Sequence, residues 1–195
     1  KAKNWEEFEE ALLDFNAPAQ NFVFADKSGT IAYKANGNVP IRKKGNAELP
    51  VPGNSSEYGW EGYIPYAELP RVVNPQVGYV ATANNEVVDE KYPYHISNIW
   101  AQPYRYERIV ELLESKEKLS VQDMKEIQMD AKNLYAIEFL PDLLKTLKAS
   151  PLANNYEDAL KILEEWDYFD TVEQSAPLIF HHLMANMQES LFIDE

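Results

Sequence analysis

The amino-acid sequence predicts an α+β fold in which strands and ordered loops come first and helices follow. Apolar residues alternate in strand fashion near the N-terminus, whereas apolar residues at helical spacing dominate from Pro103 onward. Many of the twelve prolines and most of the seven glycines lie between residues 36 and 76. We therefore predict two parts: a strand- and loop-rich part, residues 1–102, and a helical region, residues 103–195.

The first predicted element is a helix of about three turns that begins behind Asn4, a suitable N-cap, and is closed by Pro18. Its apolar positions at helical spacing are Trp5, Phe8, Leu12 and Phe15. Two alternating segments follow, "QNFVFAD" (20–26) and "TIAYKA" (30–35), and they flank Gly29. Glycine accepts the backbone of a tight turn, so these segments predict a β-hairpin.

Residues 36–76 are predicted to form an ordered loop pinned by aromatic side chains, because proline removes a backbone donor and clashes in a helix interior. The stretch "GYVATANNEVV" (78–88) begins as a strand-like run and reaches two adjacent amides, Asn84 and Asn85. Such a pair ordinarily turns the chain, since Asn tolerates φ > 0 and bonds its own backbone.

Five helices are predicted in the second part of the chain. Ser120 and Asp123 give the second of them a start that resembles a capping box. Apolar residues at helical spacing mark the other four: Ile109, Leu112 and Leu113; Leu134, Ile137, Leu140, Leu143, Leu144 and Leu147; Leu160, Leu163 and Trp166; and Ile179, Phe180, Leu183, Met184, Met187 and Leu191.

The composition excludes several classes of partner. The chain has 18 Lys and Arg against 32 Asp and Glu, a net charge of -14, and it contains no cysteine. Such a charge repels phosphate backbones and anionic lipids, so neither nucleic acid nor a membrane surface is expected as a partner. No apolar run approaches the roughly 18 residues that a membrane span requires. Disulfide and thiolate chemistry is absent.

No catalytic pattern emerges from residue spacing alone. His181 and His182 are adjacent, so on a helix they point about 100° apart and cannot form the i, i+4 pair that binds zinc. His95 is interpreted as a packing or hydrogen-bonding residue, and Asp89 with Glu90 as a solvated turn rather than a catalytic carboxylate pair. Four aromatic residues either pin the loop or line an apolar pocket: Trp60, Tyr63, Tyr66 and Trp100.

The order and spacing of several segments carry a family resemblance over nearly the whole chain. "KAKNWEEF", "QNFVFADKSGTIAY", "LPVPG", "WEGYIPYAELPRVVNPQVGYVATANN" and "WAQPYRYERI" resemble the β chain of the penicillin acylase family of N-terminal nucleophile hydrolases. The resemblance implies part of an αββα core with antiparallel strands, followed by a helical region. It also implies a precursor that cleaves itself to expose a Ser. In the intact protein the Ser hydroxyl attacks an N-acyl amide while its own α-amine acts as base.

That nucleophile is not in this chain. Residue 1 is Lys and the resemblance begins inside the β chain, so we expect an internal fragment that is inactive alone. The expected partners are the α chain and the rest of the β chain, together with a small N-acyl amide substrate. Cut sheet edges and exposed apolar faces also favour self-association of the fragment. No cofactor is required by such a mechanism.

The resemblance assigns roles to three residues. "ATANN" places Asn84 on the oxyanion-hole amide, and "WAQPYR" places Arg105 on an arginine that positions the active site. The alternative for Arg105 is a purely structural role, as an arginine on the helix surface paired with Glu107 or Glu111. Arg108 is the less favoured candidate for the active-site role. Gln20 falls where family members place a residue of the acyl-binding pocket.

The resemblance further implies calcium between the two chains of the intact enzyme, held by oxygen ligands. Ala47 matches a position that contributes a backbone carbonyl. The acid expected between "YP" and the next Trp is missing, and Ser97 and Asn98 stand in that neighbourhood. Calcium binding by these residues alone is therefore disfavoured. Since family members are exported, the resemblance implies a periplasmic or extracellular protein.

Two alternatives remain open at this point. One is an acyl-homoserine lactone acylase of the same family, which differs in its preferred acyl group and leaving group. The other is a non-catalytic binding or scaffolding module, for which the acidic charge and the aromatic residues would serve. A Ser, Thr or Cys upstream of Lys1 at a self-cleavable junction would decide for the hydrolase.

Overall fold

The computed structural model describes residues 1–193, and the chain divides into two compact units, residues 1–106 and 107–195. The helices are α1 (Trp5–Ala11), α2 (Tyr104–Glu114), α3 (Val121–Gln128), α4 (Leu134–Lys148), α5 (Glu157–Glu164) and α6 (Ala176–Phe192). The strands are β1 (Gln20–Ala25), β2 (Ile31–Asn36), β3 (Pro40–Arg42), β4 (Trp60–Tyr63) and β5 (Arg71–Val73). The α+β class is confirmed, with antiparallel strands before most of the helices.

The predicted hairpin is confirmed, and its second strand, β2, is the central strand of a three-stranded sheet in the order β1-β2-β5. In its register Tyr33 lies opposite Val23 on one side and opposite Val72 on the other. Gly29 supplies φ +95° at the turn. The Asp26 carboxylate accepts from the Ser28 hydroxyl and from nearby backbone N–H groups, and these bonds lower its pKa.

Helix α1 covers one face of this sheet. Asn4 caps it as predicted by accepting from the backbone N–H of Glu7, but the α-helix ends at Ala11, and Leu12–Asp14 continues as a 3-10 turn. Aromatic rings fill the contact with β1, at centroid distances of 5.3 to 6.2 Å; they are Trp5, Phe8, Phe22 and Phe24.

A buried charge lies on the same face. Lys34, whose side chain is 0% exposed, pairs with Glu9 of α1 at 3.3 Å, and its Nζ lies 4.0 Å from the centre of the Tyr66 ring. Arg71 of β5 binds both carboxylate oxygens of Glu9, at 2.9 and 3.0 Å. Burial lowers the pKa of Lys34, and the Glu9 carboxylate opposes that shift. With α1 on this face, the opposite face carries Asn21 and Tyr33.

The prediction of one ordered loop over residues 36–76 is wrong, because β3, β4 and β5 lie within it. These strands have only three or four residues. A strand of that length is defined by its partner rather than by a sequence pattern. Residues 79–83 show the opposite difference. They are strand-like in sequence but form no strand with any segment among residues 1–193.

The second unit is helical, and all five predicted helices are present. The capping box at Ser120 and Asp123 is confirmed: each side chain accepts from the other residue's backbone N–H. Leu140 of α4 and Phe180 of α6 are 0% exposed at the centre of an apolar cluster with Trp166. This cluster is what holds α4, α5 and α6 together.

Candidate active site

Residues 82–85 form a tight, irregular turn. Asn84 has φ 63°, in the left-handed region that Asn enters more readily than other side chains. Its carbonyl accepts from the backbone N–H of Ala101 at 2.8 Å. The Asn85 side chain accepts from the N–H of Ala83 at 3.0 Å, a bond between two residues of the turn that stabilises its shape. The sequence predicted that this pair of amides turns the chain, and the positive φ lies at Asn84.

Arg105, at the start of α2, reaches this turn. Its Nη2 donates to the Ala83 carbonyl at 2.6 Å and to Asn84 Oδ1 at 3.0 Å. The structure thus brings together the two residues that the family resemblance singled out, although 21 positions separate them. Of the two nearby arginines it is Arg108 that binds Glu111, along with Asp130.

The arginine determines which way the Asn84 amide points. A guanidinium carries only donors, so the amide must turn its oxygen toward Arg105. Nδ2 then points away from Arg105, and it has no hydrogen-bond partner among residues 1–193. Asn84 therefore presents a free N–H donor whose orientation is set by a neighbouring cation.

Asn21 is a residue that sequence reasoning missed. Its Nδ2 donates to Thr82 Oγ1 at 3.2 Å, which connects β1 to the turn. The alternation of β1 places the neighbouring Gln20 on the face of Phe22 and Phe24, under α1. No hydrogen bond joins Gln20 to the turn within the described chain, so its role in an acyl pocket stays a prediction. The alternation of the strand was the signal that favoured Asn21.

The two proposed calcium residues do approach each other. Asn98 Nδ2 donates to the carbonyl of Asn46 at 2.9 Å, and the next residue, Ala47, has φ 64°. Calcium takes about six to eight oxygen ligands, most often with carboxylates among them. Within residues 1–193, no three or more acidic, His or Cys side chains are grouped so that they could hold a metal ion. The groups present here do not by themselves fit a calcium ion.

The remaining candidates have structural contacts. His181 bonds Asp170 at 3.0 Å, and Asp89 caps its own turn through the N–H of Lys91. Trp60 is 59% exposed and Tyr63 48% exposed, and their rings meet edge to face. No helix among the described residues is long and apolar enough to cross a bilayer.

The fold resembles that of a solved hydrolase. A thermostable penicillin G acylase from Alcaligenes faecalis, in orthorhombic form, superimposes with a TM-score of 0.65 at 27% identity, over 88% of this chain and 31% of that chain. The architecture is thus that of an N-terminal nucleophile hydrolase. The sequence model of the family described as penicillin amidase matches residues 1–195. The chain belongs to the penicillin amidase family.

Relatives in this family carry two kinds of name. The penicillin acylase 2 proenzyme of Pseudomonas sp. (strain SE83) is 40% identical over 56% of this chain and 14% of its own length. The penicillin G acylase of Escherichia coli is 31% identical over 86% of this chain and 20% of its own length. The acyl-homoserine lactone acylase QuiP of Pseudomonas fluorescens (strain Pf-5) is 33% identical over 95% of this chain and 22% of its own length. Across such relatives the chain spans between 14% and 25% of the relative's length.

Proposed function

We propose that this chain supplies the oxyanion-stabilising part of a hydrolase that cleaves N-acyl amides through an acyl-enzyme. The observation that carries the proposal is the bond from Arg105 Nη2 to Asn84 Oδ1, which leaves the Asn84 N–H pointing away as a donor. Membership of the penicillin amidase family supports it. The nucleophile is a Ser at the start of the intact β chain, outside residues 1–195.

The chemistry requires a donor aimed at a developing charge. The Ser hydroxyl attacks the amide carbon and its proton passes to the α-amine of the same Ser. The carbonyl oxygen becomes an oxyanion, which Asn84 Nδ2 stabilises by donation. Collapse of the intermediate breaks the C–N bond and the amine leaves with the proton. Water then hydrolyses the acyl ester and releases the carboxylic acid.

Arg105 acts on this step through Asn84. A hydrogen bond from a cation polarises the amide that accepts it, which makes the N–H on the far side a stronger donor. The fixed positive charge also favours an anion nearby, and a preoriented donor needs no reorganisation as the charge develops. Arg105 is a positioning and electrostatic group in this mechanism and is not a base.

Both side chains are exposed in this chain, whereas oxyanion stabilisation is strong only where water is excluded. The α chain and the rest of the β chain must therefore cover the turn in the intact enzyme. Residues 1–195 alone are expected to show no turnover of a chromogenic phenylacetyl amide above a buffer blank. Hydrolysis by the purified chain would contradict the assignment of the nucleophile to another segment.

The acyl-homoserine lactone acylases are the second candidate class. They are supported by QuiP relatives that match nearly all of the chain. The discriminating assay compares the intact enzyme on phenylacetyl amides and on long-chain acyl-homoserine lactones. A higher kcat/KM on the phenylacetyl amide supports the penicillin-type assignment, and the reverse order supports the lactone acylase.

A scaffolding module without catalysis is the remaining alternative. It predicts no self-cleavage of the precursor and no new N-terminal Ser, Thr or Cys. Mass spectrometry of the mature intact protein distinguishes the two outcomes. In the hydrolase we propose, the protein is exported and any calcium draws most of its ligands from segments outside this chain.

A further inference from the structure

A polar connection links the sheet to the Asn84 turn on the face opposite α1. Tyr33 Oη donates to Asn21 Oδ1 at 2.7 Å, and Asn21 Nδ2 donates to Thr82 Oγ1 at 3.2 Å. Thr82 lies two residues before Asn84. The three side chains form a continuous hydrogen-bonded path from a buried phenol to the turn.

The strand register makes this path available. Tyr33 lies opposite Val23, so Asn21 is its diagonal neighbour on the same face of the antiparallel pair. Diagonal neighbours are about 7 to 8 Å apart, a gap that an aromatic side chain spans. Tyr33 is 8% exposed although Asn21 is exposed, so the path runs outward from the sheet to the turn.

The bond from Tyr33 to Asn21 fixes the direction of the bond from Asn21 to Thr82. The phenol donates to the amide oxygen of Asn21, and this turns the amide nitrogen toward Thr82. Burial raises the pKa of Tyr33 to about 12, so the phenol keeps its proton throughout the neutral range. Removing the phenol hydroxyl would leave the Asn21 amide free to rotate by 180° and present its oxygen to Thr82.

The N-terminal side of the turn is not held by strand pairing. Residues 79–83 have no strand partner among residues 1–193, and Asn84 adopts a left-handed backbone. Arg105 and Ala101, which follow the turn in the chain, donate to the carbonyls of Ala83 and Asn84. The Asn21 contact is the side-chain tether from the sheet at Thr82.

We propose that Asn21, Tyr33 and Thr82 form a positioning relay that holds the 82–85 turn in the geometry from which Asn84 donates to the oxyanion. The inference rests on the proposed function. The relay touches neither substrate nor reacting atoms, and it acts only through Asn84. It complements the contacts that Arg105 makes to the same turn.

The test uses the intact enzyme and a chromogenic phenylacetyl amide. Thr82→Val keeps the shape of the side chain and removes its hydroxyl, and Thr82→Ser keeps the hydroxyl. We expect Thr82→Val to lower kcat by about tenfold with KM within about twofold, because a misplaced donor is lost mainly in the transition state. Thr82→Ser and the matched phenol control, Tyr63→Phe on the exposed Tyr63, should stay within about twofold of wild type.

A double-mutant cycle with Asn84→Ala isolates the pathway. If the relay acts through Asn84, adding Thr82→Val to Asn84→Ala costs no more than about twofold further. Full additivity of the two losses would overturn the proposal, as would wild-type kcat in Thr82→Val. Tyr33→Phe is a second variant that tests the relay if Thr82→Val folds poorly. Its loss of kcat should likewise not add to that of Asn84→Ala.

The outcomes separate this inference from the proposed function. Wild-type activity in Asn84→Ala refutes the oxyanion assignment itself. A large loss in Asn84→Ala with unchanged activity in Thr82→Val refutes only the relay.

Discussion

The 82–85 turn and the apolar cluster around Phe180 are held in place by different kinds of interaction. The turn is exposed at Asn84, and hydrogen bonds of 2.6 to 3.2 Å that involve the side chains of Asn21, Asn85 and Arg105 define its shape. In the helical unit, Leu140 and Phe180 are 0% exposed and are held by packing. Packing depends on volume, whereas the turn depends on which atom donates and which accepts.

The difference has a consequence for substitutions. In the cluster, a change of volume lowers the free energy of unfolding and leaves chemistry elsewhere intact. In the turn, exchanging a single donor changes where Asn84 points at little cost in stability. The two regions should therefore respond in opposite ways to mutation.

The largest effect on stability is expected for Leu140→Ala. Removing the buried side chain should lower the free energy of unfolding of the helical unit by about 2 to 5 kcal/mol, through lost transfer energy and a cavity. Leu140→Met conserves volume and should cost less than about 1.5 kcal/mol. Urea unfolding followed by circular dichroism measures both, and equal losses in the two variants would show that packing does not dominate there.

The complementary change in the turn is Arg105→Met, which keeps an unbranched apolar side chain and removes the guanidinium donors. The Asn84 amide is then free to flip, and kcat of the intact enzyme should fall by about 10- to 100-fold. Arg108→Met is the matched control, since that arginine binds Glu111 and Asp130 instead. Arg108→Met should lower stability with kcat within about threefold. A larger kcat loss in the control would remove the distinction between the two arginines.

A smaller, pH-dependent effect is expected at Asp130. Its bond from Arg108 lowers the pKa of the carboxyl, while burial opposes the shift, and the side chain is 16% exposed. A carboxyl with a lowered pKa contributes stability above its unfolded-state value near 3.8, and this is lost as pH falls through the folded value. Asp130→Asn should cost about 1 to 3 kcal/mol at pH 7.

The gap between wild type and Asp130→Asn should therefore narrow as the pH of the unfolding experiment is lowered below about 4. A gap that stays constant from pH 7 to pH 3 would contradict the ion pair as its source. The apolar cluster around Phe180 should behave differently. The loss of unfolding free energy in Leu140→Ala should not change with pH while both proteins remain folded.

Local signals in the sequence predicted the local structure well. The Asn4 cap, the capping box at Ser120, the hairpin around Gly29 and the five later helices all depend on neighbouring residues, and each is present. The sequence missed the strands β3, β4 and β5 and suggested a strand at 79–83, because strand pairing is decided by distant partners.

The candidate site was only partly predictable for the same reason. Residue patterns left Asn84 and Asn85 equivalent, and the family resemblance, rather than spacing, selected Asn84 and Arg105. Their contact spans 21 positions, and the tether from Asn21 to Thr82 spans 61. Such contacts depend on how the sheet and the turn meet, which no local pattern encodes.

The most direct test of the central claim is the kcat of Asn84→Ala in the intact enzyme, measured beside Asn84→Gly. Glycine removes the amide without the strain that alanine meets at a positive φ, so agreement between the two isolates the lost donor. We predict that both variants lose about a hundredfold or more in kcat, as removal of an oxyanion donor requires. Turnover within about threefold of wild type in either variant would contradict the role of Asn84.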